Sequence, residues 1–334
     1  NDPEKIKEFV RANHAIVNFG HLREANTYGW RSSSVSLATV VDHRFGQMRD
    51  QIHAWEATVA PGAVVFTTHP RTDVPASTEW SDDEKPGYFT GEASIPRSAQ
   101  HERTGIHIYQ PAWDETTSDL LWGLFAYQDY THAYVPQERF DEVRRDGHWT
   151  LARKGKGYIA LWSWREPDWR IFDPATQPTD GLTKPFDLVA EGGPDNVWIV
   201  EVGDEDEAGS FDAWAKRIQA DEPAVTRDAK GFDVAWTSPT SGTVTFGSTA
   251  PFTVKGKEQD LHQGSGTEQT QKPGMYKELR AEPIYNKEFG TVGADGKTRI
   301  AGAGDLSAPT KHDLGNGFTA ETFRLTNPEA HSTF

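Results

Sequence analysis

Between residues 34 and 256 the chain alternates apolar and polar positions with a period of two. The segments SVSLATVV (34–41), QIHAWEATV (51–59), AVVFTTH (63–69), TGIHIYQ (104–110), GYIALWSW (157–164), NVWIVEVG (196–203), FDVAWTS (232–238), GTVTFGS (242–248) and PFTVKG (251–256) all follow it. That period and length predict strands. Turn residues separate several of them, as in APGA (60–63), RKGKG (153–157), EGGPDN (191–196), TSPTSG (237–242) and STAP (248–251), where Gly, Pro, Asn and Asp supply the backbone angles of a reversal. Many strands joined by short turns predict a mostly β fold, a large antiparallel β-sandwich over residues 21–257.

Two stretches change period. Residues 3–18 carry Ile6, Phe9, Val10 and Ala12 at mixed helical spacing behind Pro3, which predicts a short N-terminal helix or linker over 1–20. It is expected to end in loops at NFGHLREANTYGW, where Gly and Asn recur. In GSFDAWAKRIQADEP (209–223), Phe211, Trp214, Ala215 and Ile218 share one helical face behind a Ser210 cap, the pattern of an amphipathic helix packed on a sheet. Residues 71–95 form a polar excursion too long for a plain hairpin, a length often tied to function. Over 258–334 the apolar rhythm weakens, and a loosely structured extension or small β-region is expected.

Composition narrows the partners. The 334 residues carry a net charge of −16, which argues against nucleic acid and anionic membrane, since both need a positive field. There is no cysteine, so disulfides, thiolate metal sites and a thiol nucleophile are excluded. No apolar run is long enough for a membrane span. Twelve tryptophans beside two methionines suit stacking on pyranose rings in a secreted protein and suit a β-core equally.

The candidate chemistry is histidine-rich. If 51–59 is one strand, Gln51, His53 and Trp55 share a face, which makes a groove floor or, for an isolated histidine, the rim of a core. TTHPR (67–71), IPRSAQHERTGIHIY (95–109) and DYTHAYVP (129–136) add His69, His101 and His132 beside Pro, Arg, Gln or Tyr. A site shared by at least two of His53, His69, His101 and His132 is expected, with His132 and Tyr134 among its substrate contacts. No His-x-His or His-Glu-x-x-His spacing occurs, so metal is weakly signalled: His69 is the candidate metal residue, and the cofactor expectation is at most a structural zinc or calcium. Gly-x-Ser-x-Gly, Gly-x-Gly-x-x-Gly and Walker motifs are absent, so neither serine hydrolysis nor a nucleotide cofactor is implied. A glycosidase carboxylate pair can be neither excluded nor located among the 50 Asp and Glu residues. In 140–170, Tyr158, Ala160, Trp162 and Trp164 fall opposite Ile159 and Leu161, with Lys154 and Lys156 at a hairpin turn; packing explains this segment, as it does Trp214.

HLREANTYGWRSSSVSLATVVDHRFG (21–46), QIHAWEATV and AVVFTTHP (51–70), GEASIPRSAQHE (91–102), THAYVP and FDEV (131–143) and RKGKGYIALWS (153–163) together resemble the C-terminal β-sheet half of large bacterial heparinase II/III-like polysaccharide lyases, over about residues 15–255. The resemblance implies a supersandwich that partners an α/α toroid, almost none of which is in this chain, and β-elimination beside a uronate carboxylate, with no cofactor required. It implies His53 as the contributed catalytic histidine, His101 as second choice, Arg31 and Arg97 as carboxylate partners, Gln51 and Gln100 as hydroxyl partners and Trp55 as a stacking platform. It further implies an acidic polysaccharide as substrate, a secreted or extracytoplasmic bacterial location, and an inactive chain where the toroid's residues are missing. A non-catalytic carbohydrate-binding or structural sandwich, or part of a glycoside hydrolase, is the alternative.

Overall fold

The computed structural model describes residues 16–22, 25–73, 87–112, 127–173, 179 and 181–261, and beyond these the strand residues 275–280, 290–292, 298–300, 310–315, 318–322, 326–327 and 332–333. The chain divides into two compact units, Ser34–Leu261 and the two chain ends, Asn1–Ser33 with His262–Phe334.

In the unit of the chain ends, β1 (Ile16–Leu22) pairs antiparallel with β2 (Ala25–Arg31) and with the strand Met275–Arg280. The loops expected after residue 18 are therefore a hairpin. In β2 the buried Asn26, Tyr28 and Trp30 do alternate, but a glycine and an asparagine mask the period. Of the helix expected over 3–18, residues 16–18 open β1 and the rest lies outside the described residues.

The Ser34–Leu261 unit is built from antiparallel sheets. The first contains β3 (Ser36–Val41), β5 (Trp55–Ala60), β6 (Ala63–Thr68), β10 (Tyr130–Tyr134), β14 (Asp168–Arg170) and β15 (Asp187–Glu191), in the order β14-β15-β10-β6-β5-β3. The second contains β8 (Arg97–His101), β9 (Thr104–Tyr109), β11 (Glu142–Asp146), β12 (Trp149–Lys154), β13 (Gly157–Ser163) and β16 (Asn196–Asp204), ordered β11-β12-β13-β16-β9-β8. A third sheet runs β17 (Ala224–Asp228), β18 (Gly231–Ser238), β19 (Gly242–Gly247), β20 (Thr253–Val254) and β21 (Lys257–Glu258) in sequence order, and β4 (Met48–Asp50) pairs with β7 (Glu92–Ser94). The fold is mostly β, an antiparallel β-sandwich, and among the described residues its α-helices are α1 (Glu205–Ala208) and α2 (Phe211–Ile218).

The second sheet is covered on both faces. From β16, Trp198 donates its indole N–H to Thr131 Oγ1 of the first sheet (2.8 Å), while from the opposite face Glu201 accepts from Ser238 of the third. From β13, Tyr158 packs on Phe211 and Trp214 of α2, and from β12 Trp149 meets Trp236. Every residue of β13 and β16 is buried, which is why their sequences run as near-continuous apolar stretches rather than alternating cleanly. Ser210 caps α2 by accepting from the Ala213 N–H, and Phe211, Trp214, Ala215 and Ile218 are its buried face, as the sequence predicts. Lys154 and Lys156 flank the hairpin turn at Gly155 and pair with Asp141 and Asp206.

The first sheet has one face toward the second. Leu37, Thr39, Trp55, Ala57, Thr67, Thr131 and Ala133 lie on it and are buried. Its other face carries Phe66, Thr68, Tyr130, His132, Tyr134, Arg170, Asp187, Val189 and Glu191, brought side by side by strand register: Tyr130 opposite Glu191, His132 opposite Val189 and Thr68, Tyr134 opposite Asp187 and Phe66, Arg170 opposite Asp187.

Candidate functional site

The strand expected over 51–59 begins only at Trp55. Residues 51–54 bend before it, and the consequence is large: His53 and Trp55 end on opposite faces of the first sheet. Trp55 points inward, 1% exposed, donates its indole N–H to Thr67 Oγ1 (2.7 Å) and stacks on His107 (4.8 Å). It offers no ring face to a sugar, and the expected platform is a core residue. His53 lies on the outer side, stacked on Phe66 at 3.7 Å, with Nε2 2.7 Å from the Phe89 carbonyl oxygen and Nδ1 3.8 Å from Glu56 Oε2. A carbonyl can only accept, so Nε2 carries a proton and Nδ1 faces Glu56. The histidine beside it holds the Glu56 carboxyl below its ordinary range. Gln51 is exposed at the bend.

Beside His53 the outer face holds a dense cluster. Phe66 stacks on Tyr134 (5.2 Å), and Phe89 stacks on His132 (4.7 Å). His132 Nδ1 is 2.8 Å from Asp187 Oδ1, and its Nε2 is 2.6 Å from Thr68 Oγ1 and 2.9 Å from the Tyr88 carbonyl oxygen. Tyr88 donates its phenol proton to Asp187 Oδ2 (2.6 Å), and Tyr130 donates to Asp73 Oδ1 (2.8 Å). Arg170 reaches both phenol oxygens, 2.8 Å from each, and its guanidinium lies over the Tyr130 ring. Asp73 and Glu191, both solvent-exposed, and the buried Asp187 complete its shell at 3.2, 3.1 and 4.0 Å. Burial pushes the Tyr88 and Tyr130 phenols above their ordinary pKa, with the Asp187 charge adding to the shift at Tyr88. Both keep their protons at neutral pH.

Thr68, His132 and Asp187 stand in the order hydroxyl, imidazole, carboxylate, the arrangement that activates a nucleophile. All three are fully buried beneath Tyr88, so this hydroxyl is closed to a substrate and the trio fastens the 87–90 segment to the sheet.

The other expected site residues lie elsewhere. His101 is on the far side of the second sheet, Nδ1 3.3 Å from Ser241 Oγ, so it does not share a site with His53. Arg97 is held by Asp42 Oδ1 (2.9 Å) and the carbonyl oxygens of Gly247 and Ala250; these bonds tie the second sheet to the third. Gln100 is 2% exposed and donates to the carbonyls of Leu37 and Glu102. These bonds hold both side chains within the structure rather than presenting them to a groove. Arg31 closes β2, in the unit of the chain ends. His69 is inward and buried, with Nε2 2.8 Å from the Gln128 carbonyl oxygen. Among the described residues no three His, Asp or Glu side chains are grouped to hold a metal ion, and no helix is long and apolar enough to cross a membrane.

Of the histidines expected to meet, His53 and His132 share the outer face, linked through consecutive residues Tyr88 and Phe89. Tyr88, Tyr130, Arg170 and Asp187 were not legible as site residues. Their only signal is the length of the 71–95 excursion that contains Tyr88; the rest depends on pairing across about a hundred residues. Comparison with protein-family models, with curated proteins and with solved structures yields no match.

Proposed function

We propose that the Ser34–Leu261 unit is the β-sandwich part of a polysaccharide lyase that cleaves a uronate-containing chain by β-elimination. The observation that carries this reading is Arg170 set between the phenols of Tyr88 and Tyr130, on the sheet face that also receives His53. Elimination beside a uronate needs a cation to neutralise the carboxylate, a base for the C5 proton and an acid for the leaving oxygen. Arg170 is the cation. Two of its carboxylate partners, Asp73 and Glu191, are exposed, where an ion pair contributes only about 0–1 kcal/mol, and a bidentate uronate carboxylate replaces these two on the guanidinium fork while the buried Asp187 stays in place. His53 is the base through Nδ1, the ring nitrogen that is not committed to the Phe89 carbonyl. Tyr130, kept protonated by burial, is the acid.

The complete burial of Tyr88, His132 and Asp187 favours a second reading, a non-catalytic carbohydrate-binding or structural sandwich in which the cluster only locks residues 87–90 in place. Incubation of the longest natural polypeptide that contains this chain with uronate polysaccharides separates the two. A lyase releases unsaturated uronate that absorbs in the near ultraviolet, a hydrolase releases reducing ends without that absorbance, and a binding module releases neither. For the lyase, His53→Ala should abolish turnover with a melting temperature within a few degrees of the parent, and Arg170→Ala should lower kcat as well as raise KM. Global unfolding of His53→Ala, or no product on any uronate polymer, counts against it.

A further inference from the structure

The first and second sheets meet along one edge, where the Asp42 N–H of the residue after β3 donates to the Ser98 carbonyl of β8 (2.8 Å). Inside this edge three polar atoms are buried and make no hydrogen bond to protein among the described residues: Thr39 Oγ1, Gln100 Oε1 and His107 Nε2. They come from inward positions of β3, β8 and β9, related by strand register and by the contacts of Trp55 and Gln100. Thr39 is the register partner of Trp55. Trp55 stacks on His107. The Nε2 of His107 lies over Gly105, only 2.8 Å from where a Cβ would stand. Gly105 is the register partner of Gln100, and Gln100 donates its amide to the carbonyl of Leu37, two residues before Thr39.

An unsatisfied buried polar atom is costly, and native interiors place ordered water where two or more such atoms converge. We propose that these inward positions share a resident water site, anchored by the Thr39 hydroxyl, the Gln100 amide oxygen and the His107 ring nitrogen. The donor set selects water over an ion. Gln100 offers an acceptor and Thr39 both a donor and an acceptor; burial keeps the His107 imidazole neutral by pushing it well below its ordinary pKa. None of the three supplies a negative charge to balance a cation, and none a positive charge to hold an anion. The lack of a side chain at Gly105 is what admits the His107 ring, because a methyl there would meet both His107 Nε2 and Val200 Cγ1 at 2.8 Å.

A crystal structure of the full chain, at a resolution that shows ordered solvent, tests this. A water peak within hydrogen-bond distance of His107 Nε2 and of Thr39 Oγ1 or Gln100 Oε1 is expected; no peak there overturns the proposal. Gly105→Ala should expel the water, and a peak that persists in place beside the new methyl also overturns it. Should Gly105→Ala fail to fold, Thr39→Val keeps the shape and removes one anchor. The peak should then weaken or shift, and an unchanged peak means that these residues do not hold it.

Discussion

His69 marks the difference between a residue that invites a chemical role and one that packing has claimed. Burial pushes its imidazole from the ordinary 6.5 down to about 4, the Gln128 carbonyl opposing the shift only in part. Between those values the unfolded chain binds more protons than the folded one, so this histidine's contribution is present above about 6.5 and is lost as the pH falls toward about 4. The loss is on the order of 3 kcal/mol. Nearby Glu92 acts with the opposite sign: burial raises its carboxyl well above the ordinary range, and its contribution is full at low pH and lost as the pH rises. Glu92 accepts from the His69 backbone N–H, not from the ring, so a change at the side chain leaves it in place. His69→Gln, whose amide can still donate to Gln128, should therefore be less acid-labile than the parent. Urea midpoints at pH 7 and pH 4.5 check this, and equal losses for the two proteins would sink the assignment.

At the scale of elements, helix α2 was legible because its determinants are local. Ser210 accepts from the Ala213 N–H, and Ser210→Ala should cost about 1 kcal/mol. Trp214 packs so closely on β16 that a Cβ at Gly203 would come within 2.6 Å of its indole nitrogen. Trp214→Ala should cost about 3–5 kcal/mol through the cavity left behind. Chemical denaturation of both variants measures this, and a Trp214→Ala loss no greater than that of Ser210→Ala would mean that α2 is not part of the core. Strands with apolar alternation or unbroken apolar runs were legible as well, as in β6, β9, β13, β16, β18 and β19. Less obvious were β2, β8, β10 and β15. In β8 and β10 the inward positions include the polar residues Ser98, Gln100 and Thr131, and Gln100 and Thr131 bond across the sandwich to Leu37 and to Asn196 and Trp198, so the hydrophobic period is lost.

At the scale of the molecule, Ser34–Leu261 contains its own sheets, helices and buried aromatic core. Expressed alone, it should give a β-rich circular dichroism spectrum and one cooperative thermal transition with retained near-ultraviolet signal. Loss of that transition would show that the unit depends on the chain ends.

The sequence by itself determined the mostly β class, the antiparallel sandwich, the capped amphipathic helix with its buried face, the packing role of residues 157–164 and the exclusion of thiol chemistry. Each rests on periodicity, capping or composition, which local residues decide. Only the tertiary structure decided which side chains meet. His53 parts from Trp55 because the chain bends before β5 begins, and a bend of four residues is enough to move a side chain to the other face of a sheet. His101 faces the third sheet because the strand that carries it belongs to the second. Arg170, Tyr88, Tyr130 and Asp187 converge because β14, β15 and β10 pair in one register beside residues 87–90. That register is set by long-range hydrogen bonds and burial, a property of the folded chain that no segment expresses alone.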